Sequence, residues 1–170
     1  MRGWANLDWE DWVGFVDADG AVGVTEIIRA QQWLGEQLGV DALYGSRVKM
    51  LGRRVERSWK RHLSGRIFAT MVSELGQVPV YDSQCGLKLV RSSAYRRVAP
   101  FLQTEGFAFD VELLLLLMKL GCRVVEFPVD WRDVPWSKVN LFRDSWRMAR
   151  EVVRIQKRVA GLDWNSSKTV

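Results

Sequence analysis

Asp17 and Asp19 stand two residues apart, just after the apolar run Trp12-Val-Gly-Phe-Val16 and just before Gly20. Side chains two apart in a strand point the same way, and at a strand-to-turn junction both carboxylates can reach one hard cation. A divalent ion held there can bridge carboxylate and diphosphate and neutralise the charge that builds on a leaving nucleotide. Alone, Asp-x-Asp is a weak signal, because Asp and Gly are common in surface turns. The apolar strand before it and the basic segments after it strengthen it. Residues 1–40 carry seven acids and two bases, whereas Arg47 to Arg66 holds eight bases against the single acid Glu56. A third block, Lys138 to Arg158, has seven bases and two acids. An acidic end suited to a cation thus precedes two segments suited to phosphates.

Regular elements are needed to bring these groups together. Trp12 to Val16 is expected as a buried strand that delivers Asp17 and Asp19 at its C-terminal edge, where ligands collect in open α/β sheets. Thr25 is expected to cap a helix running to Gly39, and Ala42 to Tyr44 to form the next strand, ending at Gly45-Ser46-Arg47. A long basic helix is expected from Arg53 to Leu75, stopped by Gly76 and Pro79. Strands over Gly86–Val90 and Val124–Trp131 flank a short helix capped by Ser92 or Ser93 and a second helix over Phe109–Leu120. The last helix, about Asn140 to Val159, is the most regular. Leu141, Met148, Val152, Ile155 and Val159 share one face and Arg143, Arg147, Arg150, Arg154 and Arg158 the other. That arginine face reads either as ordinary solvated surface or as a rest for anionic headgroups.

Alternating strands and helices predict an α/β layered domain. One unit is expected over residues 1–160, followed by a polar tail at 161–170. With 170 residues, 48% of them apolar, the chain has enough material for a core. Its longest apolar run, Val111 to Met118, is interrupted at Glu112 and is far shorter than the roughly 20 residues that span a bilayer. Residues 1–25 lack a secretory pattern, and a cytoplasmic chain is expected. Cys85 and Cys122 are expected as free thiols, because nothing in their setting resembles a disulfide scaffold. Lone His62 reads as polar surface, while Trp136 and Trp146, close to basic residues, suit a membrane boundary. The basic content does not favour nucleic acid over lipid, and the aromatic platforms of single-strand binders are not evident.

Six segments in order resemble the motifs of family 2 glycosyltransferases: Val13-Gly-Phe-Val-Asp-Ala-Asp-Gly20, Tyr44-Gly-Ser-Arg47, Arg57-Ser-Trp-Lys-Arg61, Asp82-Ser-Gln-Cys-Gly-Leu-Lys88, Phe107-Ala-Phe-Asp-Val-Glu-Leu113 and Ser137-Lys-Val139. Within that family they are most similar to dolichyl-phosphate (polyprenyl-phosphate) β-glucosyltransferases, with dolichyl-phosphate mannosyltransferases as near relatives. The likeness covers about Trp12 to Gln156. It implies a GT-A (Rossmann-like) fold and an inverting transfer of a sugar, glucose first and mannose second, from UDP-glucose or GDP-mannose to a polyprenyl phosphate. The chain would work at the cytoplasmic membrane face.

The resemblance also implies roles. Asp17 and Asp19 would hold Mg²⁺ or Mn²⁺ with the donor diphosphate, and Arg47 and Arg61 would grip the acceptor phosphate. Asp82 and Gln84 would line the donor and sugar region, Arg132, Ser137 and Lys138 would meet the donor phosphates, and Asp110 and Glu112 would be the catalytic carboxylates. Read from residue type alone, Asp110 and Glu112 are simply favourable acids in a first helical turn. A lipid phosphate is already ionised near neutral pH, so no strong base is required and the arginines weigh more than Asp110. The family's first strand and its base-contacting acids have no counterpart, so the chain is expected to be a C-terminal portion of such a domain. Trp136 replaces the usual glycine before Ser-Lys, and Leu87 stands where Phe is common. A non-lipid acceptor, and an inactive fragment that binds phosphates or a membrane surface, are the alternatives.

Overall fold

The computed structural model describes residues 11–56, 80–132 and 141–162. Four strands form one mixed sheet in the order β1-β4-β2-β5: β1 Trp12–Val16, β2 Ala42–Ser46, β4 Leu87–Arg91 and β5 Val124–Pro128. β4 runs antiparallel to both β1 and β2, while β2 and β5 are parallel. A second, two-stranded sheet pairs β3 (Val55–Glu56) in parallel with β6 (Trp131–Arg132). The helices are α1 (Val24–Glu36), α2 (Ser92–Val98), α3 (Phe109–Lys119) and α4 (Leu141–Ala160).

Alternation along the strands sorts the core into two layers. Leu43, Leu87 and Leu89 face the same side as Ala30 and Leu34 of α1, which lie four apart on one helical stripe. Ala42, Tyr44 and Val90 face the other side and meet Leu113, Leu114 and Leu117 of α3 and Ile155 and Val159 of α4. α3 is apolar almost all round because it is buried between sheet and α4, with Leu113, Leu114, Leu116 and Leu117 fully enclosed. Each such leucine contributes roughly 1.5–3 kcal/mol of burial.

The expected elements recur with five corrections. Trp12–Val16 is a strand at the sheet's edge with Val13 buried and Val16 exposed, not a buried strand. Neither Ser92 nor Ser93 caps α2, whose N-cap is Arg91 with no side-chain cap bond. Thr25 does not cap α1: the helix starts at Val24 behind Gly23, with no side-chain cap bond, and ends at Glu36 rather than Gly39. The segment after Arg53 opens as strand β3 and not as helix, because Val55 and Glu56 find partners in Trp131 and Arg132; the remainder of the expected helix lies outside the described residues. The strand expected over Val124–Trp131 is two strands in two sheets, β5 and β6. Among the described residues no helix is long and apolar enough to cross a membrane.

Candidate functional site

The C-terminal ends of β1 and β2 and the segment leading into β4 meet at one edge of the sheet. Asp17 follows β1 directly, and its N–H donates to the Gly86 carbonyl at 2.9 Å. Asp17 and Asp19 are both exposed. Asp19 Oδ1 accepts the Ala21 N–H at 2.9 Å, an Asx arrangement that holds the turn and leaves the second carboxylate oxygen out of that bond. The Arg132 N–H in turn donates to the Ala21 carbonyl at 3.1 Å, so the small sheet is fastened to the acidic turn.

Gly86 is required here by space. A Cβ built on it would lie 2.5 Å from Asp17 Oδ2 and 2.8 Å from Asp17 Cβ. Gly86→Ala is therefore expected to push Asp17 aside and cost about 1–3 kcal/mol by overpacking, read as a lower urea midpoint with an unchanged slope.

Asp82 is a hub. Its carboxylate receives Arg47 Nε at 2.6 Å, Arg47 Nη2 at 2.7 Å and the Arg47 N–H at 3.0 Å. The Gln84 N–H reaches Asp82 Oδ1 at 3.3 Å, and the Asp82 N–H donates to Glu126 Oε1 at 2.9 Å. Burial acts to lower the Arg47 pKa, but the Asp82 carboxylate outweighs it and the net shift is upward. Arg47, expected to grip a phosphate, thus has a carboxylate in its fork through Nε and Nη2; Nη1 takes no part in that contact. Asp82, expected at the donor, has its side chain 6% exposed and is engaged in orienting Arg47. Gln84 Nε2 is buried with no hydrogen-bond partner among the described residues, a polar atom suited to an incoming acceptor oxygen.

Asp110 opens α3 and turns back to the sheet. Lys88, fully buried on β4, donates to Asp110 Oδ2 at 2.6 Å and also to the Cys85 carbonyl. The ammonium lies 5.2 Å from the Phe15 ring centre and 5.7 Å from that of Tyr44. Burial raises the Asp110 pKa, Lys88 pulls it back, and the carboxylates of Asp17 and Asp82 push it up again. Asp17, Asp82 and Asp110 therefore share one electrostatic environment. Burial also pushes the Cys85 thiol up to about 11, so it is protonated and no nucleophile at neutral pH.

Glu112 does not join this group. Its side chain is 0% exposed, and it accepts the Gln103 N–H at 3.1 Å and the Thr104 N–H at 2.8 Å while pairing with Arg158. An enclosed carboxylate with these partners holds α3 to the 103–104 loop and to α4. Arg158 is accordingly turned inward and not part of a uniform arginine face; Arg154 and Lys157 remain exposed. Arg61, Ser137 and Lys138 lie outside the described residues, as do Trp136 and the side chain of Trp146. Arg132 is exposed next to the acidic turn. The residues that sequence reasoning passed over are Lys88 and Glu126. For Lys88 a signal existed: it occupies a core-facing position in the strand Leu87-Lys-Leu-Val90, where a lysine persists only with a partner.

Among the described residues no group of three or more His, Cys, Asp or Glu is placed to hold a metal. A pair of exposed carboxylates is what Mg²⁺ or Mn²⁺ needs when substrate phosphates and water complete the shell. Asp17 and Asp19, as oxygen donors at a strand end, fit that requirement.

No protein-family model matches the chain. Among curated proteins it is 33% identical over 153 residues to a dolichyl-phosphate β-glucosyltransferase of Saccharomyces cerevisiae, covering 84% of this chain and 46% of that protein. It is 34% identical over 147 residues to the dolichyl-phosphate β-glucosyltransferase of Dictyostelium discoideum, covering 84% and 45%. The Homo sapiens protein of the same name is 28% identical over 160 residues, covering 90% and 49%. The chain spans about half the length of the curated relatives it matches.

Proposed function

We infer that the chain, a member of the family 2 glycosyltransferases related to the dolichyl-phosphate β-glucosyltransferases, contributes the metal and acceptor side of a site that moves a sugar onto a polyprenyl phosphate. The observation that carries this reading is the gathering of Asp17, Asp19, Asp82, Asp110 and Arg47 at one sheet edge. Asp17 and Asp19 would hold Mg²⁺ or Mn²⁺ against the donor diphosphate, and the ion supplies charge neutralisation at the leaving group. Arg61, and Arg47 through the Nη1 side that its pair with Asp82 leaves out, hold the acceptor phosphate, a task for which a planar guanidinium suits better than an ammonium. Gln84 meets the sugar, and Arg132, Ser137 and Lys138 meet the donor phosphates. UDP-glucose is the first donor proposed and GDP-mannose the second.

The chemistry asks little of a base. An oxygen of the acceptor phosphate, already ionised, forms a bond to the anomeric carbon while the bond from that carbon to the donor β-phosphate oxygen breaks. The electron pair leaves with the nucleoside diphosphate, and attack from the opposite face inverts the anomeric centre. Alignment by Arg47 and charge stabilisation dominate. Asp110 orients the acceptor side, and Glu112 acts on the scaffold alone. Because the acceptor is a membrane lipid, the chain works at a membrane surface, proposed to be the cytoplasmic face.

The test is donor binding by calorimetry with UDP-glucose and GDP-mannose. Binding should require Mn²⁺ or Mg²⁺, vanish with EDTA, and weaken at least about 100-fold in Asp19→Ala, which removes one of two protein ligands. Mn²⁺-supported binding that is the same in Asp19→Ala and wild type would sink the metal assignment. Transfer of labelled sugar to polyprenyl phosphate, and not to the unphosphorylated alcohol, checks the acceptor.

A further inference from the structure

We propose that the turn Met50-Leu51-Gly52-Arg53 is a membrane-inserting tip that seats the site on an anionic phospholipid surface. The turn is tight: the Arg53 N–H donates to the Met50 carbonyl at 3.1 Å, and Gly52 has φ +82°, the left-handed value that a type II turn needs at its third residue. Its apex is apolar. Leu51 is 100% exposed and Met50 51%. Single exposed apolar residues are ordinary, but turn apices favour Gly, Asn, Asp and Ser, and two adjacent large apolar side chains there run against local chemistry.

Charge and position select the partner. From Arg47 to Arg54 the chain carries four bases and no acid. Arg47 is engaged by Asp82, and Arg53 lies 3.8 Å from Asp130, whereas Lys49 and Arg54 on either side of the apex are exposed. An apolar apex between cations matches the layering of a bilayer, acyl chains below and anionic headgroups above. The loop leaves β2 through Arg47, inside the site, and returns through β3, whose partner β6 is bonded to the Asp17–Asp19 turn. Insertion at this point brings the acidic edge down to headgroup level, where a lipid-borne phosphate lies. That last consequence rests on the acceptor reading above; the insertion itself does not.

Co-sedimentation with phosphatidylcholine vesicles, with and without phosphatidylserine and without any polyprenyl phosphate, tests the tip separately from the acceptor. Wild type should partition onto the phosphatidylserine vesicles. The double variant Met50→Ser, Leu51→Ser should partition about tenfold less for the loss of two shallowly inserted side chains. Its melting temperature should change little, since among the described residues nothing covers Leu51 and Met50 is half exposed. A fluorophore on Leu51→Cys, in a Cys122→Ser background with Cys85 buried, should report an apolar setting on vesicles while one on Thr25→Cys stays in water. Arg154→Glu with Lys157→Glu, on α4, should leave the Leu51 signal in place. Wild type that ignores vesicles, a double variant that binds as wild type, or a Leu51 probe that stays aqueous each overturns the proposal. A separate arm adds polyprenyl phosphate to the same vesicles: its failure to enhance binding, with the tip still inserted, counts only against the acceptor reading.

Discussion

Glu112→Ala is expected to lose about 3 kcal/mol of folding stability, a large part of what a domain of this size has. The carboxylate is wholly enclosed, and three groups depend on it: the Gln103 and Thr104 N–H donors and the Arg158 guanidinium. Removing the acceptor costs about 1–3 kcal/mol for an N–H that stays out of water; Thr104 is half-buried, whereas Gln103 is exposed and its N–H can turn to solvent. Arg158 softens the loss, because its side chain is 30% exposed and can turn to water, keeping its bond of 2.6 Å to Gln103 Oε1. Glu112→Gln keeps an oxygen for one N–H but turns an amide donor toward others, so it should fall between Ala and wild type. Urea denaturation gives the ordering. If Glu112→Ala unfolds at the wild-type midpoint yet abolishes transfer, Glu112 is a catalytic group and not a strut.

Glu112 also shows where sequence reading stops. An acid three residues into a helix looks the same whether it faces a substrate, solvent or a neighbouring loop, because the local energetics of the first turn favour it in each case. Its partners Gln103, Thr104 and Arg158 sit in another loop and another helix, so only the tertiary fold assigns it. Arg158 was misread for the mirror reason: helical periodicity puts it with Arg154 and Arg147, and nothing local says that one arginine of the row finds a buried carboxylate. β3 was hidden similarly. Val55 and Glu56 are strand only because Trp131 and Arg132 lie beside them, and a basic stretch with helical spacing gave no sign of that pairing. By contrast, β1, α3 and the apolar face of α4 were legible from each segment by itself: β1 as a short β-rich apolar run closed by acids and Gly20, α3 as a leucine run ended by Gly121, and α4 by its period-3.6 apolar stripe. Asp17 and Asp19 were legible for the same reason: their place depends on β1 ending where it does.

Lys88→Met carries the second large effect, and its pH dependence separates it from an ordinary core defect. The lysine is fully buried and its ammonium is the close counter-ion of Asp110. Methionine fills nearly the same volume, so little cavity cost arises. What is lost is the charge beside Asp110, whose carboxylate remains largely enclosed and near those of Asp17 and Asp82. Leaving one partner of a buried pair costs about 3–5 kcal/mol when the remaining charge cannot hydrate; Asp110 is 18% exposed, which places the expectation at the lower end, about 3 kcal/mol at neutral pH. The sign with pH follows from the direction of the Asp110 shift. Its folded pKa is already raised above the unfolded value by burial, so its contribution is fully present below the unfolded carboxylate range and is lost as pH rises through the folded pKa. Without Lys88 the one strong lowering influence disappears and the folded pKa climbs further. The deficit of Lys88→Met relative to wild type should therefore shrink in acid, where Asp110 is protonated in both, and widen toward neutral pH. Lys88→Met, Asp110→Asn should recover most of it at neutral pH, because a neutral amide needs no counter-ion. A deficit that is flat with pH and not rescued by Asp110→Asn would mean that Lys88 serves by packing alone, and that the acidic cluster holds its charge without it.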